Sequence, residues 1–233
     1  MMLFIGNSHS FVVKKAADLL HIPTHFYPLL NQPGDKPFYP PKIDFNIPDI
    51  RCVVFTIHGI EHVVISYFLN CPAMSDIIEK YYPHLTKIKK SKNKYDFGNS
   101  FIDIDVEIIP LGVIERMIDI TLESNNFFNL LFFSYKKAVE KYNSAKLFYL
   151  PMVPVPQPSN HESYKEKPIS IKIHELIEQK RKQAVEALGI KYLDKPQGVT
   201  DKFGFLKTEF VEDPVHANLN YGKLQLDQIL SLL

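Results

Sequence analysis

The chain of 233 residues carries 27 basic and 26 acidic side chains, a formal net charge of +1, and 45% hydrophobic residues. That balance excludes a strongly basic nucleic-acid binder, and the length suffices for one domain with a sizeable core. Two cysteines, Cys52 and Cys71, make no disulfide framework and read as small buried apolar residues.

Met1-Met2-Leu3-Phe4-Ile5-Gly6 lacks the basic start and long apolar core of a secretory signal, and no apolar run reaches bilayer length. The expectation is a cytoplasmic protein with no nucleic-acid partner and no membrane partner.

In chain order, residues 2–5 form a short apolar run stopped by Gly6-Asn7-Ser8, which reads as a buried strand and a sharp turn. Residues 11–20 come next, with Val12, Val13, Ala16, Ala17 and Leu20 at helical spacing. A weaker strand is expected at residues 25–30, and a proline-rich loop over 31–48. Cys52-Val53-Val54-Phe55-Thr56-Ile57 is β-branched and apolar, as an interior strand requires. His58-Gly59 ends it, and a helix is expected over 62–70.

Residues 75–109 read as an insertion or small hairpin over one edge of the core. Their lysine-rich run reads as a solvated loop, and residues 101–109 alternate like a half-exposed strand. Residues 111–142 predict one or two helices after Pro110. Residues 146–150 predict a further strand.

In the stretch Pro151-Met152-Val153-Pro154-Val155-Pro156-Gln157-Pro158 four prolines have no N–H to give a ladder, so it cannot continue a sheet and reads as a stiff extended loop. It offers one wall to a cleft. Residues 173–188 predict a helix stopped at Gly189, then a short strand near 190–193. Leu219, Gly222, Leu226, Ile229, Leu230 and Leu233 mark a closing amphipathic helix. Strands alternating with helices predict an α/β fold with a parallel sheet in one domain spanning 1–233.

Two motifs carry chemistry. Ser8 follows the first strand directly, so its hydroxyl stands at the strand's C-terminal end, where such folds collect functional groups. A serine needs a neighbouring base to become nucleophilic. Asp213-Pro214-Val215-His216 supplies a carboxylate three residues before an imidazole. That carboxylate can hold Nδ1 and leave Nε2 free for a serine. Structural roles compete at both places. Ser8 can cap the helix that follows it, and Asp213 can cap a helix with Pro214 at its first position. Asn218 reads as a helix-start residue.

Gly6-Asn7-Ser8-His9 and Asp213-x-x-His216 together resemble the SGNH/GDSL hydrolase superfamily. The resemblance implies a three-layer α/β/α, flavodoxin-like fold with a central parallel sheet, Ser8 as nucleophile, and Asp213 and His216 as its partners. The third family block usually supplies an asparagine as oxyanion-hole donor. Here His58-Gly59-Ile60-Glu61-His62 stands in its place, with Gly59 and His62 aligned to a Gly-Gly-Asn-x-His version and Ile60 where the asparagine would be. Gly34 is the candidate for the second-block glycine. The backbone N–H groups of Ser8 and Gly59 are the donors the chain offers, and His9 is placed to line the cleft.

The resemblance thus implies an esterase working through Ser8, His216 and Asp213 with no cofactor and no metal. Its substrate would be a small-molecule or carbohydrate ester, with acetyl on a sugar as the family-level expectation. Acyl transfer to an alcohol would use the same residues, and neither the oligomeric state nor the natural substrate is legible.

Two rivals stand behind this. One is a non-catalytic ligand-binding module of the same fold with a degenerate oxyanion hole. The other is a zinc metallopeptidase, because His58-x-x-Glu61-His62 also resembles the inverted zinc motif of the pitrilysin peptidases, with Glu123 or Glu140 as third ligand.

Overall fold

The computed structural model describes residues 1–29, 46–57, 94–96, 101–103, 112, 115–116, 118–119, 122, 127–156, 168–202, 204–213 and 216–233. In chain order the strands are β1 (Met2–Gly6), β2 (Thr24–Pro28), β3 (Cys52–Thr56), β4 (Lys94–Asp96), β5 (Phe101–Asp103), β6 (Lys146–Tyr149) and β7 (Lys191–Tyr192). The helices are α1 (Ser10–Leu19), α2 (Phe127–Lys141), α3 (Pro168–Ala187) and α4 (Leu219–Leu232). Helical residues also occur at 112, 115–116, 118–119 and 122. The strands expected around residues 2–5, 25–30, 52–57, 146–150 and 190–193 are all present.

Five strands form one parallel sheet in the order β2-β1-β3-β6-β7. Both faces of β1 and β3 are buried, which is why these strands read as continuous apolar runs with no polar alternation. Alternate residues serve opposite layers. Leu3, Ile5, Val53 and Phe55 join α2 and α3 through Leu130, Leu131, Ile173 and Ile177. Met2, Phe4, Cys52 and Val54 join α1 and α4 through Val13, Ala16, Leu226 and Ile229. The result is the three-layer α/β/α arrangement expected. Cys52 is fully buried, and burial pushes its thiol up to about 12, so it behaves as an apolar filler.

The order β2-β1-β3 makes the chain wind outward from β1 in both directions. The crevice at the C-terminal ends of β1 and β3 is therefore a topological switch point. β1 ends there in a glycine for a steric reason. A Cβ on Gly6 would stand 2.0 Å from Thr56 Oγ1 and 2.3 Å from the Thr56 carbonyl oxygen. Only glycine lets β1 lie this close to β3 at its end.

β4 and β5 pair antiparallel, Lys94 opposite Asp103 and Asp96 opposite Phe101. Of the loop expected over 31–48, residues 31–45 lie outside the described residues, as do His58-Gly59 and the helix expected over 62–70. The proline-rich stretch departs from expectation in one respect. Pro156 forms an isolated parallel bridge with Leu206, because the Val155 carbonyl accepts from Leu206 N–H at 2.8 Å and acceptance needs no N–H of its own. Among the described residues no helix is long and apolar enough to cross a membrane.

Candidate active site

The turn after β1 is fixed by its own backbone and by Asn7. Asn7 N–H donates to the Thr56 carbonyl at 3.1 Å, continuing the β1–β3 ladder by one residue. The Asn7 side-chain oxygen accepts from His9 N–H at 3.3 Å, an Asx turn around Ser8. Ser10 Oγ donates to the Asn7 carbonyl at 2.8 Å, and Phe11 N–H donates to the Ser8 carbonyl at 3.0 Å, which starts α1. The residue at the N-cap position is His9, with no side-chain cap. The capping role open to Ser8 is therefore not the one it takes; its hydroxyl points elsewhere. Among the described residues its N–H has no acceptor at the N-terminal end of α1.

The C-terminal motif is equally constrained. The N–H groups of Glu212 and Asp213 donate to the His216 carbonyl at 3.0 and 3.3 Å, and His216 N–H donates back to Asp213 Oδ1 at 2.8 Å. An antiparallel bridge between Val211 and Ala217 closes the base of this loop. Helix α4 begins only at Leu219. Its cap is Asn218, whose side-chain oxygen accepts from Asn220 and Tyr221 N–H while its amide donates to the Glu209 carbonyl at 2.8 Å. So Asn218 takes the helix-start role expected of it. Asp213 is not a helix cap, and its second carboxylate oxygen is left for the imidazole.

These two loops meet. Asp213 Oδ2 lies 2.8 Å from His216 Nδ1, and His216 Nε2 lies 3.1 Å from Ser8 Oγ. With the imidazole proton on Nδ1, donated to Asp213, Nε2 accepts from the Ser8 hydroxyl. The arrangement can do what a nucleophile–base–orienter set does: draw the proton from Oγ and stabilise the imidazolium that forms. The His216 ring is two-thirds buried (33% exposed) and the Asp213 side chain is 44% exposed, so both are open to solvent.

A cleft of about 200 Å³ surrounds these atoms. The His9 ring lies 5.3 Å from that of His216, tilted by 40°. Phe11, Val12 and Lys15 of α1 line one side and Val153 another, so the proline-rich stretch does form part of the wall. Lys15 Nζ stands 3.8 Å from Glu212 Oε1 across the mouth, an exposed pair.

Sequence reasoning missed Phe11, Lys15 and Glu212. The signal for α1 was present: residues 8, 11, 12 and 15 follow the 3-4-7 spacing of one helical face, the face that begins at the serine. Gly59 and His62 lie outside the described residues, as do His58, Glu61 and Glu123 of the zinc reading. Glu140 is exposed on α2 and pairs with Lys137 at 3.4 Å. Among the described residues no group of three metal-binding side chains converges.

No family model matches the chain, and no curated protein matches it by sequence. Its fold does match solved structures. A GDSL-like lipase from Bacteroides thetaiotaomicron superimposes with a TM-score of 0.51 at 11% identity, covering 99% of this chain and 86% of that one. Phospholipase A1 from Streptomyces albidoflavus superimposes with a TM-score of 0.53 at 12% identity, covering 99% and 98%. The chain thus shares the three-layer α/β/α fold of these two structures, the fold that the two motifs implied.

Proposed function

We propose that the protein is a serine-dependent ester hydrolase with Ser8 as nucleophile, His216 as general base and acid, and Asp213 as the group that orients His216. The observation that carries the reading is the chain of contacts from Asp213 through His216 to Ser8, at the switch point of this fold.

In this reading Ser8 Oγ attacks the ester carbonyl carbon while its proton passes to His216 Nε2. The carbonyl oxygen becomes an oxyanion, facing the N–H of Ser8 and, as the sequence motif implies, that of Gly59. The tetrahedral intermediate collapses, the C–O bond to the alcohol breaks, and His216 returns its proton to the departing oxygen. Water then attacks the acyl-enzyme carbonyl with His216 taking its proton, the bond from the acyl carbon to Ser8 Oγ breaks, His216 returns the proton to Oγ, and the carboxylic acid leaves. His9 lines the acyl side of the cleft, and His62 is assigned to substrate binding by its place in the third family block. The cleft suits a small acyl group, and an O-acetylated carbohydrate is the substrate class we favour.

The test is labelling of the purified protein with a fluorophosphonate, with the modified residue mapped by mass spectrometry. Labelling at Ser8 that vanishes in His216→Ala is the expected result. A folded protein that does not label is a binding module of this fold, and the esterase reading then fails.

A further inference from the structure

A second cavity, of about 510 Å³, lies on the other side of the proline-rich stretch. It shares no lining residue with the Ser8 cleft: Val153 faces the cleft, whereas Met152, Pro154 and Val155 face this cavity. Its size falls in the range of small-molecule sites, and such sites combine an apolar lining with a few placed polar groups. Met152, Val155 and Ile171 give the apolar lining, and the Tyr192 ring adds an aromatic surface. The ligand chemistry of this cavity does not depend on the role of Ser8.

The charges around this cavity decide what it can take. Glu178 is matched by Arg181, with Oε1 2.8 Å from Nη1, and its other oxygen accepts from Tyr192 Oη and from Met152 N–H at 3.2 Å. Glu175 is paired with Lys172 at 3.0 Å, and Asp194 with Lys182 at 2.9 Å. His174 and Gln179 add no negative charge in any protonation state. Every lining carboxylate thus has a cation of its own. Lys195 is the lining cation with no ion pair among the described residues, and it is exposed. Among the described lining residues, Lys195 is therefore the cation left without a carboxylate partner.

We infer that this cavity is a second ligand site, for a small amphiphile with an apolar body against Met152, Val155 and Ile171 and one anionic head at Lys195. A cationic head would meet Lys195 and find no unpaired carboxylate among the described lining residues, and an uncharged head would forgo the lysine.

The test uses the full chain with methyl-labelled methionine and three probes of equal apolar body: octanoate, octan-1-ol and octyltrimethylammonium, each below its aggregation concentration. The expected result is that octanoate shifts the Met152 methyl resonance at the lowest concentration, octanol comes next, and the ammonium is weakest. Lys195→Gln, a change at an exposed residue, weakens octanoate by about fivefold, the upper end for an exposed charge contact, and leaves octanol unchanged. Ser8→Ala leaves all three unchanged, which separates this site from the cleft. The inference is overturned if Met152 does not respond, if the three heads bind alike, if the ammonium binds best, or if Lys195→Gln has no effect on octanoate.

Discussion

Gly222 of α4 lies directly over the backbone of Val12 in α1: a Cβ at position 222 would stand 2.4 Å from the Val12 carbonyl oxygen. These helices carry the two halves of the site, since Ser8 precedes α1 and His216 precedes α4. Their separation is set where they touch. Gly222→Ala must push them apart, because the atom it meets is backbone and cannot turn aside. Overpacking of this kind costs about 1–3 kcal/mol, and a 1 Å shift at a reacting pair can cost about 10²-fold in rate. The expected outcome is a lower thermal midpoint and, for the proposed ester hydrolysis, a larger loss in kcat than in substrate affinity.

Asp213 does two jobs through its two oxygens, one on the His216 backbone and one on its ring. Asp213→Asn keeps the shape and the first contact but offers an amide N–H where the ring needs an acceptor. Steady-state hydrolysis of a small acetyl ester should fall by about 10⁴-fold while the fold, read by circular dichroism, is retained. A variant retaining near-full activity would remove Asp213 from the mechanism.

Asn218 holds α4 by its cap and holds the preceding loop through Glu209. Asn218→Ala should lower stability by about 1 kcal/mol, as loss of a side-chain cap does. Urea denaturation measures that. Activity should fall further than stability accounts for, because the loop so anchored carries His216 two residues earlier. Asn218→Asp, which keeps the acceptor for α4, should recover most of the stability.

Burial pushes the Glu178 carboxyl up to about 7, against the pull of its hydrogen bonds from Tyr192 and Met152. Between about pH 4.5 and 7 the folded protein then binds more protons at this site than the unfolded chain does. Its contribution to stability is therefore greatest at the acid end of that interval and declines as pH rises through it, by up to about 1.4 kcal/mol per unit. Glu178→Gln removes that slope. The wild-type-minus-variant difference in unfolding free energy, measured from pH 4.5 to 7.5, should fall with pH; a flat difference would show an ordinary carboxylate.

Much of the fold was legible because its signals are local. β1 and β3 announce themselves as apolar runs, since a strand covered on both faces has no polar positions to alternate. The Gly6-Asn7-Ser8 stop, the Gly189 stop after α3 (φ +75°) and the Asn218 start of α4 are each written in one or two residues. The paired charges of α3 were not legible. Arg181 is fully buried against Glu178 and the Phe127 ring, yet in sequence it is one more basic residue in a charged helix.

By itself, then, the sequence determined the residue types of the candidate site and the elements that hold them, because a strand-ending serine and an Asp-x-x-His loop are local arrangements. What each residue does was decided only by tertiary structure. Ser8 could have capped α1 and Asp213 could have capped a helix; both roles are local and both are declined. Ser8 and His216 are 208 positions apart and meet at 3.1 Å. Parallel strand order, the close approach at Gly6 and the contact of Gly222 on Val12 bring them together. None of those relations exists until the layers pack.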